Sequence, residues 1–398
     1  MKTPKRFSEL PEYAFPRLRT LLGARAPGSN APVEMTIGDP RHDPPAFVAE
    51  VIAENAAGFR GYPPNDGAPA LLDSCARWLD RRYGYAADPA SDILVLNGTR
   101  EGLYNASMAL CPEDKNGQRP AILTPNPFYQ VYAVASLSVG ADPVYVNATE
   151  ATGHLPDFAA LDPALLDRTA IVYICSPANP QGATASMAYW SDLLALAEKH
   201  DFTIFADECY AEIYRDRPPV GVLEAVRATG ADPERVVAFH SLSKRSNLAG
   251  LRSGFAVSGP GNIARMKQLR AYAGAPLPLP LQMAAAAVWD DEAHVDDNRA
   301  LYAAKFDAAR DILGDVPGVT IPEAGFFLWL PVPDAIGNGE AATLKLWQEA
   351  GVKVLPGAYL ARDTEAGNPG ETFVRAALVA SQDDITAGLT RLRDCIYR

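Results

Sequence analysis

The sequence predicts an α/β fold in which a mostly parallel sheet is covered by helices and joined to a smaller α+β unit. Three observations lead there. Short apolar runs alternate with longer amphipathic ones along most of the chain. Several of those runs are continuously apolar, as strands buried on both faces are, and do not alternate as half-exposed strands do. From LPLPLQ (277–282) onward the rhythm changes. A chain of 398 residues has room for two such units.

In order along the chain, residues 1–45 are rich in Pro, Gly and Arg and read as an arm or irregular lead-in. DILVLN (92–97) reads as a strand before GTREGLYNASMAL, and AILT (121–124) as one before PNPFYQVYAVASLSVG. PVYVN (143–147) leads to a polar turn, and AIVYIC (170–175) to SPANPQG and the helix-like MAYWSDLLALAEKH. FTIFAD (202–207) precedes ECYAEIY, and RVVAF (235–239) precedes HSLSKRSNLAGLRSGF. Beyond 282, MAAAAVWDDEAHVDDNRALYAAKFDAARDIL reads as one long or broken helix. FFLWL (326–330), VKVLPG (352–357) and FVRAALVA (373–380) then alternate with helix-like TLKLWQEAG and a terminal DDITAGLTRLRDCIY. The expected division is 46–285 as the large unit, with 1–45 and 286–398 forming the small one.

Composition narrows the function. The chain is 48% hydrophobic and 21% charged, a soluble globular balance. Its net charge of −12 argues against a nucleic-acid surface. No apolar run approaches the roughly 18 residues of a membrane helix. Five scattered cysteines without CxxC spacing suggest a reducing cytoplasm and give no disulfide framework or zinc site. The basic N-terminus lacks the apolar stretch of a secretory signal. GxxxxGK[ST], strand-led GxGxxG, HExxH and GxSxG are all missing, so no metal site, P-loop or nucleophile elbow is signalled.

In open α/β sheets ligands bind beyond the carboxyl ends of the strands. Polar residues there are Thr99 and Arg100, Asn126 with Phe128 and Tyr129, Asn179, Asp207 with Tyr210, and Ser241, Ser243, Lys244 and Arg252. Together they fit a phosphorylated pyridine aldehyde. The lysine amine would form a Schiff base, the aspartate would pair with the ring nitrogen, and the aromatic ring would stack. A helix N-terminus, serines and an arginine would take the phosphate. Singly each has a plainer reading. Lys244 also reads as a solvated loop residue, Asp207 as the cap of a helix starting at Glu208, Asn179 as a turn former and Tyr129 as core.

YPPNDG (62–67), NGTREGLYN (97–105), SPANPQG (176–182), ADECY (206–210) and SLSKRSNLAGLRSGF (241–255) occur in this order. With them the chain, from IGDP (37–40) to FVRAAL (373–378), resembles the fold-type I, pyridoxal-phosphate-dependent aminotransferases of class I/II. The resemblance implies Lys244 as Schiff-base lysine and proton shuttle, Asp207 on the pyridine nitrogen, and Asn179 and Tyr210 on the phenolic oxygen. It implies Tyr129 stacked on the ring, and Thr99, Arg100, Ser241, Ser243 and Arg252 at the phosphate. Tyr62 would reach the phosphate of a partner subunit, which implies a homodimer with shared sites. Arg375 would clamp the substrate α-carboxylate, assisted by the Gly38 backbone.

The KRSN…GLR variant is most similar to the succinyldiaminopimelate transaminases. It implies N-succinyl-LL-2,6-diaminopimelate and 2-oxoglutarate as substrates, in lysine biosynthesis. For so anionic a substrate Arg17, Arg19, Arg41 and Arg245 are candidates by position, though each also reads as a solvated charge. Alternatives are aminotransfer from aspartate, alanine, an aromatic amino acid or unsuccinylated diaminopimelate, a C–S lyase on the same cofactor, and a non-catalytic binding module.

Overall fold

A computed structural model describes residues 7, 8, 10 and 12–398. Its strands are β1 (Val33–Glu34), β2 (Ile93–Leu96), β3 (Ala121–Asn126), β4 (Asp142–Asn147), β5 (Thr169–Cys175) and β6 (Thr203–Asp207). They continue as β7 (Val236–Ser241), β8 (Gly254–Ser258), β9 (Phe327–Pro331), β10 (Val352–Lys353), β11 (Leu355–Pro356) and β12 (Phe373–Ala377). Seven of them form one sheet in the order β2-β8-β7-β6-β5-β3-β4. The pairings from β4 across to β7 are parallel, whereas β8 runs antiparallel to both its neighbours.

The continuous apolar runs explain the burial. Every residue of β5 is buried, and its alternate side chains serve two cores. Val172 and Ile174 pack into one face with Trp78 and Trp190, and Ile171 and Tyr173 into the other with Leu103 and Phe239. The registers Cys175↔Asp207 and Asp207↔Phe239 bring the carboxyl ends of β5 and β6 level, with β7 running on to Ser241 beside them.

Beside this sheet, β9, β11 and β12 form an antiparallel sheet in the order β11-β12-β9. The helices Ala293–Leu313 and Gln382–Ile396 share a core with it through Phe306, Leu313, Leu328, Leu389 and Leu392. β1 pairs in parallel with β10, which ties the start of the chain to this part.

Two sequence expectations change, and one left open is decided. The lead-in contains a helix, Ala14–Leu22, whose Ala14, Leu18 and Leu22 are buried. The i, i+4, i+8 spacing places them on one stripe, a pattern masked by the segment's Pro and Arg content. The long helix is broken into Leu279–Asp290 and Ala293–Leu313, with Asp291 Oδ2 accepting the His294 amide at 3.1 Å. No helix begins at Glu208: residues 209–212 form turns, so Asp207 is not a helix cap. Among the described residues, no helix is long and apolar enough to cross a membrane.

Candidate active site

The carboxyl ends of the strands open onto a cavity of about 420 Å³. Its walls include Gly38, Thr99, Arg100, Tyr129, Asn179, Asp207, Tyr210, Ser241, Ser243, Lys244, Arg252 and Arg375. Tyr62 lies outside it and is fully exposed on this chain. Among the described residues, the charged side chains on the walls are four basic (Arg100, Lys244, Arg252, Arg375) and two acidic (Asp39, Asp207). The cavity is therefore locally positive within an acidic chain and suits an anionic ligand.

Lys244 follows β7 on a short helix, Leu242–Arg245. Its Nζ donates to the Gly38 carbonyl at 2.5 Å and lies 5.4 Å from the Phe326 ring centroid. Burial lowers its pKa, opposed by the charge of Asp39 among others, so the free amine is reached at lower pH than for an ordinary lysine.

Asp207 ends β6 and is 3% exposed. Tyr132 Oη donates to its Oδ2 at 2.8 Å, and the Cys209 amide to its Oδ1 at 3.4 Å. Burial raises its pKa, while these hydrogen bonds and nearby Lys244 pull it down. Among the described residues no basic side chain makes an ion pair with it, so a cationic partner is what this carboxylate lacks.

The N-terminus of the helix Thr99–Leu110 carries no side-chain cap. Gly98 precedes it at φ 82°, a left-handed conformation that favours glycine. A Cβ there would meet Arg252 Nη2 at 2.4 Å. Arg252 itself, at φ 57°, is steadied by bonds from Nη1 to the Ala249 carbonyl (2.7 Å) and Nη2 to the Asn97 carbonyl (3.3 Å). Ser241 Oγ donates to Ser243 Oγ at 3.0 Å. Uncapped amides, two hydroxyls and a guanidinium thus converge where an anion would sit.

Arg375, on β12 and 4% exposed, donates from Nη1 to Asn179 Oδ1 (2.9 Å) and from Nη2 to the Thr36 carbonyl (2.7 Å). Its Nε is buried without a partner. A guanidinium has five N–H donors, so part of this fork is unspent and available to a carboxylate. Burial lowers its pKa to about 10, still cationic at neutral pH. Replacing Arg375 with Lys should reduce kcat/KM for the amino donor by about 10²-fold, because an ammonium cannot reproduce the fork. Steady-state kinetics with a saturating oxo acid would show it, and an unchanged kcat/KM would remove Arg375 from carboxylate binding.

Tyr129 and Tyr210 also line the cavity. Arg100 Nε donates to Tyr129 Oη at 2.7 Å, and Tyr129 packs edge-on against Tyr132. Tyr210 packs against Phe326 and Phe327, and burial pushes its phenol up, leaving it a neutral donor.

The proposed distal arginines do not reach the cavity. Arg245 points into the core beside Trp289 (4.9 Å to the centroid) and pairs with Glu292 at 2.8 Å. Arg17 lies over the Tyr359 ring with Glu12 and Glu340 nearby, Arg19 is exposed, and Arg41 borders a second cavity. Asn126 is taken up by Asn147 and the backbone of Arg362. Sequence reasoning missed Tyr132 and Asp39. Tyr132 sits three residues after Tyr129 at a helix start, a spacing that places both on one face. Asp39 stands inside IGDP without a signal of its own.

A family model described as aminotransferase class I and II matches residues 31–392. An LL-diaminopimelate aminotransferase of Dehalococcoides mccartyi is 32% identical, covering 98% of each chain. A 4-dedimethylamino-4-oxo-anhydrotetracycline transaminase of Streptomyces rimosus is also 32% identical, covering 96% of this chain and 99% of its own. The crystal structure of an aminotransferase from Neisseria meningitidis superposes with a TM-score of 0.94 at 37% identity, covering 98% of this chain and 99% of the other.

Proposed function

We propose, from the premise that the chain belongs to the aminotransferase class I and II family, that it transfers the amino group of N-succinyl-LL-2,6-diaminopimelate to 2-oxoglutarate. The family uses pyridoxal phosphate, which when bound supplies an aldehyde for the substrate amine and a ring that withdraws electrons. The walls fit that group. Asp207 lacks a cation where a pyridinium would give one, and the Gly98 turn leaves open an anion cradle that a Cβ would fill.

In this reading Lys244 Nζ would take the proton from the substrate α-carbon and deliver it two atoms along, beyond the substrate nitrogen. Asp207, desolvated and held by Tyr132, would hold the ring nitrogen through its negative charge. Tyr210 and Asn179 would donate toward the phenolic oxygen, and Tyr129 would stack on the ring. Thr99, Arg100, Ser241, Ser243 and Arg252 would hold the phosphate, with Tyr62 serving a partner subunit. Arg375 and the Gly38 backbone hold the α-carboxylate, so that the bond to be broken is presented to the lysine. The observation that carries the reading is the partly unspent guanidinium of Arg375, sharing one cavity with the Lys244 amine and buried Asp207. A cytoplasmic homodimer with shared sites, and the division into 46–285 against 1–45 with 286–398, belong to the same proposal.

Two things support the succinylated donor. One is the KRSN…GLR resemblance. The other is charge: among the described residues, Asp39 is the one acidic side chain on the walls besides Asp207. Free diaminopimelate carries a second ammonium that would need an acid. Succinylation turns that ammonium into a neutral amide and adds a carboxylate. The second reading, unsuccinylated LL-diaminopimelate, is favoured by the name of the Dehalococcoides relative. The Streptomyces relative, equally identical, is named for a different substrate, so identity at this level does not decide.

Titration of the cofactor-loaded protein at its visible band decides between them. N-succinyl-LL-diaminopimelate should bleach the band, and 2-oxoglutarate should restore it with release of glutamate. Bleaching by the free diamino acid alone would establish the second reading. Response to glutamate alone would discard both donors.

A further inference from the structure

We propose that Asn298, oriented by His42, is a positioning residue that fixes the backbone of Lys244 and ties it to the strap carrying Gly38. The inference rests on the family assignment and is independent of which donor is used.

Asn298 lies on the helix Ala293–Leu313 and is 3% exposed. Its Nδ2 donates to the carbonyls of Lys244 (3.3 Å) and Arg245 (3.2 Å). Its Oδ1 accepts from Asn247 Nδ2 (2.9 Å) and pairs with His42 Nδ1 (3.0 Å). Two donated and two accepted bonds use the whole capacity of an amide, so its orientation is determined. The Asn298 oxygen can only accept, so His42 Nδ1 carries the proton and Nε2 is left as an acceptor. That acceptor is met by Lys305, whose Nζ lies 2.6 Å away. Lys305 is 2% exposed, and burial lowers its pKa to about 8. A buried amine facing His42 Nε2 selects one imidazole tautomer. The ring is further held against Tyr302, with centroids 4.7 Å apart.

An asparagine capping a helix end would explain the bond to Arg245 alone. It does not explain the second bond to Lys244 or the link to His42. His42 follows Gly38 by four residues on the same strap, and Gly38 is the residue whose carbonyl takes the Lys244 ammonium. The strap therefore holds Lys244 twice, by its amine and by its backbone. To act as a base the amine must leave Gly38. The strap then keeps its register over the lysine through His42 and Asn298. Asn247, at φ 52°, makes the turn out of the lysine helix and is pinned by the same amide.

The test uses cofactor-loaded Asn298→Ala, His42→Phe and His42→Asn proteins with glutamate as donor. Phe keeps the ring against Tyr302 and removes the Nδ1 donor, whereas Asn places an N–H near the same point. Asn298→Ala and His42→Phe should lose about tenfold or more in kcat with little change in KM, since misplacement by about 1 Å costs up to about 10²-fold. Both should move the midpoint of the visible band's pH titration by about half a unit or more. His42→Asn should stay near the parent in both readouts. An unmoved midpoint in folded variants overturns the proposal, even if kcat falls with melting temperature, because that pattern is structural. So does a His42→Asn protein as impaired as His42→Phe. If Asn298→Ala does not fold, the two His42 variants decide. Failure of the parent to respond to glutamate would instead count against the aminotransferase reading of the site.

Discussion

Replacing Lys244 with Ala is expected to cut transamination by at least about 10⁴-fold, the upper range for a positioned acid–base group. The loss should appear in kcat in single-turnover and steady-state assays alike. Two features of its surroundings make it large. The amine meets the Gly38 carbonyl at 2.5 Å, and nearby Cys209 is a buried thiol with its pKa pushed up. Ala also removes a buried cation, so the variant should keep its fold. The visible band should change character, because the covalent link is gone. Rescue by added methylamine, in proportion to its concentration, would assign the loss to the missing amine. Turnover close to the parent's would end the proposed mechanism.

The second large effect is at Asp207. Asp207→Asn keeps the size and an acceptor for Tyr132 or the Cys209 amide, but removes the charge. The expected loss is about 10²–10³-fold in kcat, in the range seen when one preorganised electrostatic group is deleted. Cofactor affinity should fall as well, measured by the concentration that restores the visible band. The pH sign follows from the site. Burial raises the pKa of Asp207 above the ordinary carboxylate value, so protonation as pH falls should mimic the Asn variant. The pH dependence of cofactor capture by the unloaded parent should therefore show an acidic limb that Asp207→Asn lacks. An acidic limb of the same midpoint in both proteins would assign it elsewhere.

How far the sequence carried the reading depends on where each signal lay. Strands β2, β3, β5, β6 and β7 were visible because they are buried on both faces, which leaves an apolar run, whereas β4, at the sheet edge and half-buried, showed only as PVYVN. β8, GFAVS, was not marked, because it follows the glycine- and serine-rich lysine segment and looked like more loop. The helix Pro69–Tyr83 also escaped, since its buried Leu71, Leu72, Cys75, Trp78 and Leu79 are diluted by five charged residues. The cavity was legible for a simple reason: ligand-facing residues follow the strands directly, so locating the strands located them. Arg375 needed the motif resemblance, because it sits inside a strand and reads locally as a break in an apolar run. The arginine expectations failed because charge type says nothing of direction. Arg245 is next to Lys244 in sequence, but helical geometry turns it to the opposite side, between two tryptophans. Tyr132 and Asn298 were invisible for a related reason, since each acts through another residue.

The bond from Arg375 to the Thr36 carbonyl joins residues 339 positions apart. On a ribosome the chain emerges from its N-terminus, and the large sheet can pair long before residue 375 exists. On the proposed function, the carboxylate clamp at Arg375 can be seated only after nearly the whole polypeptide has been released, when β12 forms against β9 and β11. Nascent or C-terminally truncated chains would then carry the anion cradle and the lysine but no substrate grip. Synthesis order alone would make cofactor capture an earlier event than catalytic competence.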